Sequence, residues 1–214
     1  LTLASKQGQS SRLKMAKTSI IHSPLKMSLL ALILFTIACW GNTAWITGKA
    51  LLAQYLIASA WQDTLVFSAN NSERNITTPW PWADTWPVAK LTFPSLNENL
   101  YVLAGSHGSS LAFGPGHMDG TALPHELGTM VINGHRDTHF SLLEKLSIGE
   151  TFSIQNSAGI WRQYKVINTH IIDTRKESWF INSESNEIHL VTCYPFHGLD
   201  INPPFRYVVV AVPS

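Results

Sequence analysis

The apolar positions of this chain follow three successive patterns. From Met27 to Gly48 they are almost continuous, MSLLALILFTIACWGNTAWITG, and no residue is charged. As a helix this stretch rises about 33 Å, enough to cross a bilayer core. From Lys49 to Phe67 the pattern becomes periodic. Leu51, Leu52, Tyr55, Leu56, Ala58 and Trp61 recur at near-helical spacing, which predicts an amphipathic helix continuing outward as a stalk. Residues 68–87 are rich in Ser, Asn, Thr, Pro and Trp and read as a linker whose aromatic residues pack on the domain that follows. From Val88 the pattern alternates in short runs. It predicts strands at Ala89–Phe93, Leu100–Ala104, Thr129–Asn133, Thr151–Gln155, Trp161–Asn168, His170–Asp173, Glu187–Cys193 and Arg206–Val212. Turn signals such as Asn156-Ser157-Ala158-Gly159 separate them, and Phe140–Leu146 is the one short helical stretch. Many short strands with few helices predict a closed barrel or a sandwich.

Charge orients this arrangement. Charged residues make up 14% of the chain, below the roughly 25% of an ordinary soluble domain, and the apolar segment accounts for part of the deficit. The net charge of +1 gives no global case for nucleic acid. Lys6, Arg12, Lys14, Lys17 and Lys26 all precede the first acidic residue, Asp63. The positive-inside rule therefore predicts a basic cytoplasmic tail over 1–26 and a transmembrane anchor over 27–48. A stalk helix and linker follow over 49–85, and a β-domain over 86–214 lies on the outer side. Trp40 and Trp45 suit the outer interface. A cleaved signal peptide would need a better cleavage site than Asn42-Thr43-Ala44. A lipoprotein signal would use Cys39 after Thr36-Ile37-Ala38, which lacks the usual Leu.

Three residues carry candidate chemistry. Ile188–Phe196 reads as a strand that delivers Cys193 and then stops, because Pro195 has no N–H to donate. Ile188, Leu190 and Thr192 share one face; His189, Val191 and Cys193 share the other. Cys39 lies in the apolar run, so Cys193 reads as a free thiol. The bland reading of a lone thiol is a buried, inert one. The sharper reading is a nucleophile, which needs a nearby imidazole to take its proton. His135 follows the apolar run Met130-Val131-Ile132 and also sits at a strand end, although a structural histidine would look the same. Asp137 either orients that ring or caps its own loop. Arg206 opens the last apolar strand. It is either a surface residue or a permanent cation for an oxyanion.

These pieces resemble the sortase family. They are Asn133-Gly134-His135-Arg136-Asp137-Thr138, Leu190-Val191-Thr192-Cys193 and Arg206-Tyr207-Val208-Val209, in that order. Phe113-Gly114-Pro115-Gly116-His117, with Thr121-Ala122-Leu123-Pro124, is similar as well. So is Pro81–Leu91, which resembles the Gram-negative proteobacterial branch, the class GN sortases. The likeness runs from about residue 80 to the C-terminus. His189, where relatives often have Thr, and His125, where they often have Gly, depart from it. The resemblance implies a mainly β fold: an eight-stranded sortase-type β-barrel with short helices, preceded by an N-terminal transmembrane and stalk helix. It implies a cysteine transpeptidase with Cys193 as nucleophile, His135 as general acid/base and Arg206 as oxyanion and substrate stabiliser. Asp137, Thr192 and Tyr194 support them, Tyr194 through its backbone N–H. The partners implied are an exported protein with a C-terminal LPXTG-like sorting signal and an amine acceptor. No metal or organic cofactor is implied. The implied place is the inner (cytoplasmic) membrane, single-pass, with the catalytic domain on the periplasmic side. The loops Ser106–Glu126 and Tyr194–Phe205 are the expected groove walls, with Leu111, Phe113, Leu123, Leu199 and Ile201 receiving an apolar residue of the signal.

Three rival readings remain open. A metal site would use His135 with His139, or His189 with Cys193, but residues four apart on a strand sit about 13 Å apart, too far for one ion. A hydrolytic cysteine peptidase would use the same three residues with water as acceptor. A non-catalytic membrane-tethered binding barrel would have no need to keep His135, Cys193 and Arg206 together.

Overall fold

The computed structural model describes residues 24–70, 76–176, 184–198, 200 and 203–214. The chain divides into two compact units, residues 1–47 and 48–214. Helix α1, Pro24–Asn70, contributes its first part to one and its last part to the other. In the first unit every described side chain of α1 is exposed. With a mean hydropathy of 1.8, the helix is long and apolar enough to cross a membrane.

The last part of α1 belongs to the second unit and packs there. Ala53, Ile57, Ala60, Trp61 and Thr64 are buried, at steps of three and four residues that form one stripe. The Trp61 indole N–H donates to Gln155 Oε1 at 3.2 Å. The stripe expected from the sequence agrees at Trp61 and differs at its start. Leu51 and Tyr55 are 67% and 70% exposed. The helix is apolar nearly all round, so its period does not choose a face. Small Ala53 and Ala60 on one side let the backbone approach the barrel closely.

Eight strands close a barrel in the order β1-β2-β3-β4-β7-β8-β6-β5. They are β1 Pro87–Phe93, β2 Glu98–Ala104, β3 Gly116–His117, β4 Met130–Asn133, β5 Thr151–Gln155, β6 Trp161–Asp173, β7 Ile188–Tyr194 and β8 Phe205–Pro213. Inward-facing Leu91, Phe93, Ile132, Phe152, Ile154, Leu190 and Val209 are fully buried and fill the interior. β4 runs parallel to β7, and β7 antiparallel to β8.

The count of eight matches the expectation, but two strands differ. Trp161–Asn168 and His170–Asp173 are one strand, β6, with a register shift between Val166 and Asn168. A bulge shifts the alternation by one place, so a continuous strand reads as two. β3 lies inside the segment read as a loop, Ser106–Glu126. Its two residues are too short for any periodicity. A Cβ at Gly116 would run into the Gly105 carbonyl, so this close pass needs glycine. The helical stretch near 140 is a short 3-10 helix, Ser141–Lys145. His125 has φ 72°, in the left-handed region that favours glycine. That is the physical sense of a glycine at this place in the resemblance.

Candidate active site

β7 carries Cys193 to the end of the barrel and turns it outward. Ile188 and Leu190 belong to the interior cluster, whereas Val191 belongs to a separate apolar cluster. The alternation read from the sequence is therefore the observed one. Cys193 is half-buried and free. On the neighbouring strand its register partner is Arg206. Directly opposed residues share a face with Cβ atoms about 5 Å apart, so thiol and guanidinium stems rise side by side. Arg206 Nη1 donates to the carbonyls of Pro203 and Phe205, which braces the start of β8.

β4 brings the histidine. Asn133 pairs with Val191, and the next residues stay tied to β7. Gly134 N–H donates to Val191 O at 3.0 Å. The Thr192 hydroxyl, buried, donates to Gly134 O at 2.7 Å. His135 comes next, exposed, one residue beyond this double tie. Phe140 N–H donates to His135 O at 3.0 Å, closing a tight turn. The ring of Phe140 lies on Gly134, where a Cβ would come within 2.6 Å of it. Gly134→Ala is therefore expected to destabilise the fold by about 1–3 kcal/mol through overpacking. Chemical denaturation reads this, and an unchanged midpoint would contradict the packing.

The supporting residues divide. Asp137 Oδ1 accepts from Arg136 Nε at 3.3 Å, and no bond from Asp137 to the His135 ring exists among the described residues. The expected orienting carboxylate is thus spent on its neighbour. Tyr194 ends β7 with its ring stacked on Tyr207 at 6.3 Å, and Phe196 meets Tyr207 edge-on at 5.2 Å. These rings pack below the strand ends that carry Cys193 and Arg206. His139 stands near His135. Burial first, then repulsion from His135, hold its imidazole below the ordinary value, which favours the neutral ring at neutral pH.

Among the described groove residues, Phe113 and Leu123 make their contacts elsewhere. Leu111 and Phe113 lie beside β2, where the Phe113 ring meets Trp80 at 5.2 Å and its carbonyl accepts from Gln54 of α1. Leu123 lines a cavity of about 350 Å³ with Thr64, Trp86, His117 and Asn156. That cavity sits where β5 ends beside β1. β6 leads from there, over 13 residues, to Asp173 opposite Phe205. Leu123 is thus at the barrel end opposite to Cys193. Leu199 and Ile201 lie outside the described residues.

The apolar surface on the outer face of Cys193 comes from the strands themselves. Val131, Ile172, Val191, Val208 and Val210 form one buried cluster. Val191 precedes Cys193 by two and pairs with Val208. The signal was present in the sequence: Met130-Val131-Ile132 and Val208-Val209-Val210 are apolar on both faces, the mark of a strand covered on both sides. His189 continues this face, bonded to Glu187 Oε2 at 3.1 Å. Burial lowers its pKa against the opposing pull of Glu187, and His170 adds to the lowering. At the far wall Asp173 accepts from Arg175 at 2.8 and 2.9 Å, and those bonds hold its carboxyl at about 2.

Known proteins are similar to this chain in sequence and in fold. The Sortase domain family model matches residues 91–214, more than half of the chain. Sortase D of Bacillus subtilis (strain 168) is 33% identical over 120 residues, which cover 56% of this chain and 60% of that relative. The match thus spans less than two thirds of the relative's length. Sortase A from Corynebacterium diphtheriae has a similar fold, with a TM-score of 0.54 and 24% identity over 62% of this chain and 63% of that one. Sortase C2 of pilus island 1 from group B Streptococcus gives a TM-score of 0.51 and 25% identity, covering 60% and 74%. A barrel with His135, Cys193 and Arg206 at one end, and a family match over all of them, lead to one statement: this chain belongs to the sortase family.

Proposed function

We propose that this chain is a membrane-anchored cysteine transpeptidase of the sortase type. It cleaves a C-terminal LPXTG-like sorting signal of an exported protein and passes the protein to an amine. The observation that carries the reading is the register of Cys193 against Arg206, with the loop of His135 tied to β7 beside them. Cys193 Sγ adds to the scissile carbonyl, and the oxygen takes the negative charge. Arg206 faces that charge as a permanent cation with several donors. The tetrahedral adduct collapses by breaking the C–N bond, and His135 gives a proton to the leaving amine. The acyl group is left as a thioester on Cys193. An incoming amine attacks it, His135 takes the proton from that amine, and the thiolate leaves. The Tyr194 N–H, next after the nucleophile, is a further donor to the oxyanion.

Other parts of the chain support the setting. The uncharged helix preceded by basic residues favours a single-pass anchor in the inner membrane with the barrel on the periplasmic side. Anchoring enzyme and substrate to one surface raises their effective concentration. The likeness of Pro81–Leu91 to the class GN branch fits that placement. Among the groove residues expected from the sequence, Leu199 and Ile201 stay in the proposal because their loop follows Cys193.

The test is the full-length protein in detergent with a labelled LPXTG-like peptide and a glycine amine. The reading predicts a new amide joining the peptide's N-terminal part to the amine. Free acid alone, at every amine concentration, would overturn transfer in favour of hydrolysis.

A further inference from the structure

Among the described residues, Arg136 is the only buried arginine or lysine. A charged group taken out of water is costly unless its hydrogen bonds are replaced. Here all three guanidinium nitrogens are engaged. Nε donates to Asp137 Oδ1 at 3.3 Å, and Nη1 to Pro195 O at 2.8 Å. Nη2 donates to Gly198 O at 2.7 Å and to Asp200 O. The three carbonyls belong to the stretch that leaves the strand of Cys193. Charge-assisted bonds of this kind are stronger than neutral ones, and a fork can hold several carbonyls at once.

The place of Arg136 gives these bonds a consequence. His135 makes no side-chain hydrogen bond among the described residues, so its ring is placed by its neighbours. On one side, Gly134 is tied to Val191 and Thr192 of β7. On the other, Arg136 is tied to the loop after β7. Both residues flanking His135 are therefore fastened to the segment that carries Cys193. A second observation points the same way. A Cβ at Gly198 would lie 3.2 Å from Arg136 Nη1 and 3.0 Å from Pro195 Cγ, so the loop has given up a side chain to let the guanidinium in.

We propose that Arg136 is a positioning residue for acyl transfer: its buried fork clamps Pro195, Gly198 and Asp200 to the His135 loop and so sets the spacing of His135 and Cys193. This rests on the reading of Cys193 and His135 as the reacting pair. Arg136→Lys keeps the charge but replaces the fork by a single nitrogen. A displacement of about 1 Å at a reacting group costs up to about 10²-fold in rate, so kcat should fall about 10- to 100-fold with KM nearly unchanged. The same variant should move the pH profile of Cys193 alkylation toward that of His135→Ala. Gly198→Ala keeps the arginine and displaces it, so it should shift the profile in the same direction by less.

These measurements use the full-length protein in detergent, with the thermal midpoint recorded for each variant. An unmoved alkylation profile in both variants would overturn the proposal, because a merely structural clamp would alter the melting point alone. Alkylation needs no peptide. If the wild-type protein transfers no peptide while Arg136→Lys still moves the profile, the transpeptidase reading fails and the clamp stands.

Discussion

Cys193→Ala is expected to lower peptide cleavage and transfer by a factor of about 10⁴ or more, on the scale seen when a nucleophile is removed from a preorganised site. The fold should survive. Cys193 points outward at the end of β7, while Ile188 and Leu190 keep the strand seated in the interior. Removing one half-buried sulfur there leaves every core contact in place, so the thermal midpoint should stay within a few degrees, roughly the effect of 1 kcal/mol. Cys193→Ser separates nucleophilicity from shape: the hydroxyl fits but has no low-lying anion, and activity should remain near the Ala level. Substantial cleavage by Cys193→Ala would place the nucleophile elsewhere.

Arg206→Ala is expected to lower kcat by about 10²–10³-fold, the range for loss of one oxyanion donor. Arg206 opposes Cys193 across β7 and β8, and in the proposed mechanism it faces the charge that forms only once the sulfur has added. Such an interaction is absent from the ground state, so kcat should fall more than KM rises. Arg206→Lys restores the charge without the fork and should recover part of the loss. This comparison also handles a second role. The guanidinium braces Pro203 and Phe205, and the Ala variant loosens that brace as well. A rise in KM with kcat unchanged would mean that Arg206 holds the substrate backbone and leaves the oxyanion to the Tyr194 N–H.

The barrel was legible where strands alternate without interruption. β7 and β8 show this best: Ile188 and Leu190 inward, Val191 and Cys193 outward, as the two-residue period requires. β6 was split because its bulge at Val166 and Asn168 reverses the phase. β3 was invisible, since two residues have no period, and its only mark is a glycine forced by the Gly105 carbonyl. In α1 the apolar character that suits a bilayer erased the face that packs on the barrel.

The positions of Cys193, His135 and Arg206 at strand ends were readable, but their partners were not. Spacing suggested Asp137 for the His135 ring; the folded chain gives Asp137 to Arg136. Arg136 carried no expectation beyond its place in the Asn133–Thr138 motif, because the carbonyls that bury it lie about sixty positions away. Long-range backbone acceptors leave no trace in local pattern. Leu123 is the reverse case. It belongs to a segment that resembles the family, yet β3 carries that segment toward the barrel end opposite to Cys193.

The most direct test of the account is the intact mass of the protein, acid-quenched shortly after mixing with a sorting-signal peptide in the absence of added amine. The account predicts a mass gain equal to the peptide's N-terminal part, carried on Cys193, labile to hydroxylamine and absent from Cys193→Ala. Continued peptide cleavage with no such adduct, or an adduct on another residue, would contradict a thioester on Cys193 and with it the central claim.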